Sequence, residues 1–148
     1  MAVKQLTPQQ AHDLMQQDAK VVYLDVRTVP EFSAGHPQRG INIPAFFFQQ
    51  PGQPTPNADF IKVVEANIAK NATIVVGCQA GGRSQRAADM LDKAGYINVS
   101  NVMGGFGGGQ DQTGKAITGW RDSGLPVTTD NGDGVSYASL AAKVGVKV

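Results

Sequence analysis

Apolar positions along the chain follow two periods, and these alternate. Val21-Val-Tyr-Leu-Asp-Val26, Ile74-Val-Val76 within Thr73–Cys78, and Asn98–Met103 are short, nearly continuous apolar runs. That pattern belongs to parallel strands covered on both faces. Between them the spacing turns helical. Ala11, Leu14 and Met15 form one stripe, Phe60, Ile61, Val64 and Ile68 a second, and Ala87, Met90, Leu91 and Ala94 a third. Thr7-Pro-Gln-Gln10 predicts a helix start with Thr7 as N-cap, Pro8 at the first position, a capping box closed by Gln10, and Leu6 and Ala11 as a staple. Pro30–Ala34 reads as a short helix stopped by Gly35, and Gly40–Pro44 as an extended piece that Pro44 cannot prolong. Ala45–Asn57 is expected to be a loop kept irregular by Pro51, Pro54 and Pro56, with Phe46-Phe-Phe48 lining the core. Asn57 is then expected to cap a helix through Lys70, and Gly95 to close the helix that follows Ser84. Strands alternating with helices imply an α/β fold around a parallel, covered sheet.

Composition narrows the class without naming a function. A length of 148 residues fits one domain with a proper core, and 41% hydrophobic against 17% charged residues is globular. Thirteen basic and twelve acidic residues leave a net charge of +1, and no run of five like charges occurs. Neither nucleic acid nor an anionic membrane is therefore an expected partner. A single cysteine excludes an internal disulfide and a cysteine-cluster metal site. No apolar stretch approaches membrane-spanning length and no signal-peptide core opens the sequence, so a cytoplasmic setting is the expectation.

That cysteine is where chemistry enters. Cys78-Gln-Ala-Gly-Gly-Arg-Ser84 lies between a buried strand and a helix, at a strand's carboxyl end and a helix N-terminus. Ligands of open α/β sheets bind there. Unpaired helix amides, a macrodipole of about +0.5 charge, and Gly81 and Gly82 at positive φ would make an anion nest for a sulfur anion. Such surroundings favour the thiolate. Arg83 adds a planar donor fork suited to an oxyanion. Cys78 is read as an activated nucleophile facing an anionic substrate, against the bland alternative of a small buried hydrophobe.

Several segments together resemble a rhodanese domain. Leu24-Asp-Val-Arg-Thr28, Glu31-Phe32, Ala34-Gly-His36 and Ile41-Asn-Ile-Pro44 are similar to its opening, and Cys78–Ser84 to its active-site loop. Asn101-Val-Met-Gly-Gly105, Trp120 and Gly124-Leu-Pro-Val127 are similar to its end. The resemblance spans residues 6–127, with 128–148 as an extension in which Ser136–Lys143 forms a short helix or frays. It implies a rhodanese-like five-stranded parallel sheet with helices on both faces, and sulfur transfer without a cofactor or metal. Thiosulfate or a similar donor would load Cys78 as a persulfide. Cyanide, a small thiol or a protein thiol would then unload it. The resemblance implies a cradle of amides from Gln79, Ala80, Gly81, Gly82, Arg83 and Ser84, with Arg83 on the donor oxyanion and Gln79 and Ala80 facing substrate. Asp25 and Arg27 would brace the loop, while His36 and Trp120 serve structure.

Rival readings are weaker. Cysteine phosphatases and arsenate reductases on this fold space their arginine Cys-x5-Arg, whereas Arg83 follows Cys78 after four residues, a smaller cradle. A non-enzymatic binding module would more naturally lack the cysteine. Gly109–Ala116 resembles a P-loop but puts Ala116 where the magnesium-binding hydroxyl belongs. Asp130–Gly134 hints at a calcium loop with glycines in ligand positions. His12 is expected to be exposed. Two departures from the family stand out: Pro37-Gln-Arg-Gly-Ile41 replaces a pattern resembling Ile-Pro-Gly-Ala-Ile, and residues 107–119 lengthen the connection to Trp120. That insertion is expected to be a surface loop rather than a lid.

Overall fold

The computed structural model describes residues 3–50, 53–111 and 113–147. Five parallel strands form the central sheet: β1 (Lys4–Leu6), β2 (Val22–Asp25), β3 (Gly40–Asn42), β4 (Thr73–Gly77) and β5 (Asn98–Val102), in the order β1-β5-β4-β2-β3. Among the described residues five α-helices accompany them: α1 (Pro8–Gln17), α2 (Val29–Ala34), α3 (Phe60–Asn67), α4 (Gly82–Lys93) and α5 (Tyr137–Ala142). Strand side chains alternate between two buried clusters. Leu24, Ile74 and Val76 pack with α3, α4 and α5, while Tyr23 and Val75 pack with α1 and Trp120. Helices thus cover both faces, and the sheet is the α/β fold that the sequence predicts.

Local signals account for most element ends. Thr7 caps α1 in a full capping box, its Oγ1 accepting from Gln10 N while Gln10 Oε1 accepts from Thr7 N. Leu6 and Ala11 share one cluster. Gly95, at φ 100°, closes α4 in a Schellman turn: its amide donates to Asp92 and that of Tyr96 to Leu91. Pro44 falls just beyond edge strand β3, as expected.

Five expectations change. The 45–57 segment is not a loop: Phe46–Gln50 and Gln53–Pro56 pair as an antiparallel hairpin, with Phe46 opposite Pro56 and Phe48 opposite Pro54. Prolines are tolerated because this two-stranded ribbon stands apart from the main sheet. Pro51 lies outside the described residues. Of the three phenylalanines Phe46 is buried, but Phe48 is 46% exposed and lines no core. Helix α3 starts after Asp59 rather than Asn57, whose Oδ1 accepts from Asp59 N, and it ends at Asn67 with Val63 buried in place of Ile61. His12 is half-buried, its ring edge-on to Trp120 at 5.6 Å. Finally, the 107–119 insertion is largely exposed, but it carries paired strands where a loop was expected. Gly109–Gln110 and Ala116–Ile117 form a hairpin, and a Cβ at Gly109 would run into the Ala80 carbonyl. The same hairpin removes any P-loop, which needs a helix after its glycines.

The reshaped turn after His36 has a physical cost and a compensation. Arg39 adopts φ 73°, where the family resemblance has glycine. Its guanidinium donates to the carbonyls of Met15, Ala19 and Val21 at 2.7, 3.0 and 3.1 Å, tying the turn to the end of α1. The tail after Val127 is also held. Ser136 caps α5, and Tyr137, Leu140 and Ala141 join the cluster of the central strands.

Candidate active site

Strand β4 ends at Gly77, and Cys78 follows, 2% exposed. Gly77 itself is dictated by Tyr23 on β2, whose hydroxyl occupies the space a Cβ would need. The turn after Cys78 is made by Gly81, left-handed at φ 110° and N-cap of α4; its amide donates to Cys78 Sγ at 3.0 Å. Gly82 is already helical, so Gly81 alone takes the positive φ expected of both. The sulfur therefore sits at the positive end of a twelve-residue helix with a glycine amide upon it.

A second layer fixes the loop from below. The amides of Phe106 and Gly107 donate to the carbonyls of Cys78 and Gln79 at 2.8 and 2.9 Å. Gly105, at φ 55°, passes so close that a Cβ would strike the Cys78 carbonyl. Ser84 is fully buried and its hydroxyl lies 2.6 Å from Asn101 Oδ1 and 3.1 Å from the Gly81 carbonyl. Ser84 therefore clamps the loop to β5 through its side chain. Ala80 is exposed and Gln79 half-buried.

Asp25 and Arg27 lie beside the loop at the end of β2, 1% and 2% exposed. Arg27 Nη2 and Nε reach Asp25 Oδ2 at 2.8 and 3.1 Å, and Nε reaches Oδ1 at 3.0 Å. The remaining donors go to the Gly35 carbonyl at 2.8 Å and Gln79 Oε1 at 3.3 Å, while the guanidinium lies over Phe106 at 4.5 Å. His36 is stacked on Phe32 at 3.6 Å, with its ring nitrogens against the carbonyls of Pro37 and Asp130, a structural placement. Trp120 is fully buried and donates to the Pro126 carbonyl.

Arg83 holds a partner that the sequence reading assigned no role. Its Nη1 and Nη2 meet Glu31 Oε1 and Oε2 at 2.8 and 3.0 Å, and Phe48 lies beneath its guanidinium at 5.1 Å. Glu31 Oε1 also accepts from Thr28 N and Oγ1 at 3.1 and 2.9 Å. Burial by itself would raise the Glu31 carboxyl, but these bonds from Arg83 and Thr28 outweigh it and pull it down to about 2. Burial likewise works against the Arg83 cation, and Glu31 more than offsets it, raising Arg83 above its ordinary value. The Thr28-x-x-Glu31 capping box was the available signal, since it fixes Glu31 on the first turn of α2, beside Arg27.

Two clefts flank the loop. One, of about 510 Å³, lies between Ala80–Gly82, the end of β5 and the 109–117 hairpin. The other, about 460 Å³, is bounded by Arg27, Glu31, Gln79, Phe106 and Arg121. It opens between β2 and β4, where the strand order reverses direction from β2, the usual ligand crevice of such sheets. Among the described residues no three His, Cys, Asp or Glu side chains gather as a metal site, and no helix is long and apolar enough to cross a membrane.

Fold and loop together define an α/β domain presenting one cysteine at a strand-to-helix turn. The chain belongs to the rhodanese-like domain family, whose model matches residues 7–112. It is 37% identical over 116 residues to Arabidopsis thaliana "Thiosulfate sulfurtransferase 16, chloroplastic", covering 78% of this chain and 85% of that protein. It is 33% identical over 108 residues to "Thiosulfate sulfurtransferase GlpE" of Haemophilus influenzae, covering 73% and 89%. Among solved structures, Rv0390 from M. tuberculosis superposes with a TM-score of 0.73 at 27% identity, covering 88% of this chain and all of that one. Relatives so named support a sulfurtransferase activity.

Proposed function

We propose that the protein transfers a sulfane sulfur from thiosulfate or a similar donor, through a persulfide on Cys78, to cyanide or a thiol. The Cys78 thiolate attacks the outer sulfur of the donor, the S–S bond to the sulfonate breaks with its electron pair, and sulfite leaves. The acceptor then attacks the terminal persulfide sulfur and Cys78 departs as thiolate. Splitting the transfer into two displacements is covalent catalysis. The observation that supports it most directly is the Gly81 amide on Sγ at the N-terminus of α4, which stabilises negative sulfur in the free and loaded states. Arg83 has N–H donors beyond the two given to Glu31, and these meet the donor's oxygens at the mouth. Gln79 and Ala80 border the incoming substrate, while Asp25, Arg27 and Ser84 hold the loop in shape.

The test is thiocyanate formation from thiosulfate and cyanide, with hydrolysis of an aryl phosphate measured in parallel. The wild type should form thiocyanate and Cys78→Ser should not. Phosphate release without thiocyanate would overturn the reading in favour of a phosphatase.

A further inference from the structure

The geometry points to Glu31 as the residue that sets which donors this site accepts: by neutralising Arg83 it selects sulfane donors of low negative charge over dianions such as thiosulfate. The inference rests on the sulfurtransferase reading and concerns its donor class. Three arginines stand on the loop or the crevice beside it, and each has a carboxylate partner; Arg121 meets Asp122, its neighbour in sequence, at 3.3 Å with both side chains more than half exposed. Arg27 is spent on Asp25 below the surface. Arg83 is the one carried by the loop itself, and its bidentate contact with Glu31 is made by side chains 16% and 31% exposed. Glu31 is placed there by more than Arg83, because two donors from Thr28 fix the same oxygen at the start of α2. With its carboxyl held down to about 2, it stays charged wherever the protein is folded and assayed. Phe48 backs the guanidinium at 5.1 Å, so Arg83 is held between carboxylate and ring. Arg86, one turn along α4 and stacked on Phe46 at 4.3 Å, is a further cation on this side, with its residue exposed to solvent.

The consequence is a separation of shape from charge. Arg83 keeps free N–H groups that recognise sulfonyl oxygens, but the full positive charge that would reward a dianion is offset at 2.8 Å. Thiosulfate (charge −2) and methanethiosulfonate (charge −1) isolate the effect. Each gives its terminal sulfur to the Cys78 thiolate, forming the same persulfide, and loses sulfite or methanesulfinate with the electron pair of the broken S–S bond. Glu31→Gln removes the charge while keeping an oxygen for Thr28 and for Arg83.

The experiment compares kcat/KM for the two donors in wild type and Glu31→Gln, with cyanide as acceptor. Removing the carboxylate should help each donor by about threefold per unit of donor charge, the scale of a partly exposed ion pair. Thiosulfate should therefore gain about tenfold, mostly in KM, and the thiosulfate-to-methanethiosulfonate ratio about threefold. A merely structural Glu31 would depress both donors alike, and an unchanged ratio would overturn the assignment. A measurement on wild type alone guards against misfolding of the variant: sulfate should inhibit no more tightly than methanesulfonate. Tighter inhibition by sulfate, by tenfold or more, would equally overturn it. If neither donor loads wild-type Cys78, the sulfurtransferase reading itself falls. If both load it and the ratio stays put, only the role of Glu31 falls.

Discussion

Asp25→Ala should be among the most damaging single substitutions outside the loop. The carboxylate is 1% exposed and receives Arg27 Nε at 3.0 and 3.1 Å, Arg27 Nη2 at 2.8 Å and the Arg27 amide at 3.0 Å. Without it the guanidinium keeps the Gly35 carbonyl, Gln79 and the Phe106 ring, but remains a buried cation with no counter-charge. Removing one partner of a buried pair costs about 3–5 kcal/mol, a large share of the roughly 5–15 kcal/mol that hold a domain together. For a chain of this length that lowers Tm by about 10 °C. Taking the cation away as well, in Asp25→Ala with Arg27→Met, removes the uncompensated charge, so the double variant should be more stable than the single one by about 1–3 kcal/mol. Urea denaturation of the four proteins of the cycle is the assay, with equal m-values required for the comparison. A single-variant loss below about 1 kcal/mol, or a double variant less stable than the single, would refute the reasoning.

Other positions give equally definite outcomes. Gly105→Ala meets both a φ of 55° and the Cys78 carbonyl, so it should cost more than about 2 kcal/mol, while Gly82→Ala, with open space around it, should be neutral or stabilising in the same denaturation assay. Tyr23→Phe should stabilise by about 1 kcal/mol, because the buried Tyr23 hydroxyl has no hydrogen-bond partner among the described residues; a clear loss of stability would show that it has one. The Glu31 carboxyl lies lower in the folded state than its ordinary 4.5, so its contribution is complete above that value and disappears as pH falls towards about 2. The stability gap between wild type and Glu31→Gln, about 1–2 kcal/mol after solvent screening, should therefore be flat from neutral pH down to about 5 and close below it. A gap that instead changes around neutrality would contradict the assignment.

What was legible in the sequence is what nearest neighbours decide. The capping box at Thr7, the runs of β2, β4 and β5, the stripe of α4 and its glycine stop all rest on residues within a turn or two of one another. The hairpin of residues 46–56 hid because three successive phenylalanines erase the alternation of a strand, and Pro54 and Pro56 argue against one. Only its position outside the main sheet makes the prolines acceptable. The hairpin of residues 109–117 hid because its glycines read as flexible, whereas Gly107 and Gly109 are small so that the backbone can lie against Gln79 and Ala80. At the site, Cys78 and the Gly81 turn were readable from spacing, but the partners of Arg83 and Ser84 were not. Glu31 is 52 residues from Arg83 and Asn101 is 17 from Ser84, and no local rule joins them.

In the proposed reaction the sulfur held by the Gly81 amide itself carries the transferred atom. Intact mass spectrometry of the protein after thiosulfate tests it most directly. The wild type should gain one sulfur atom, located on Cys78, absent in Cys78→Ser and removed by cyanide as thiocyanate appears. Thiocyanate formed at the wild-type rate by Cys78→Ser, or turnover by a wild type whose cysteine never gains mass, would contradict it.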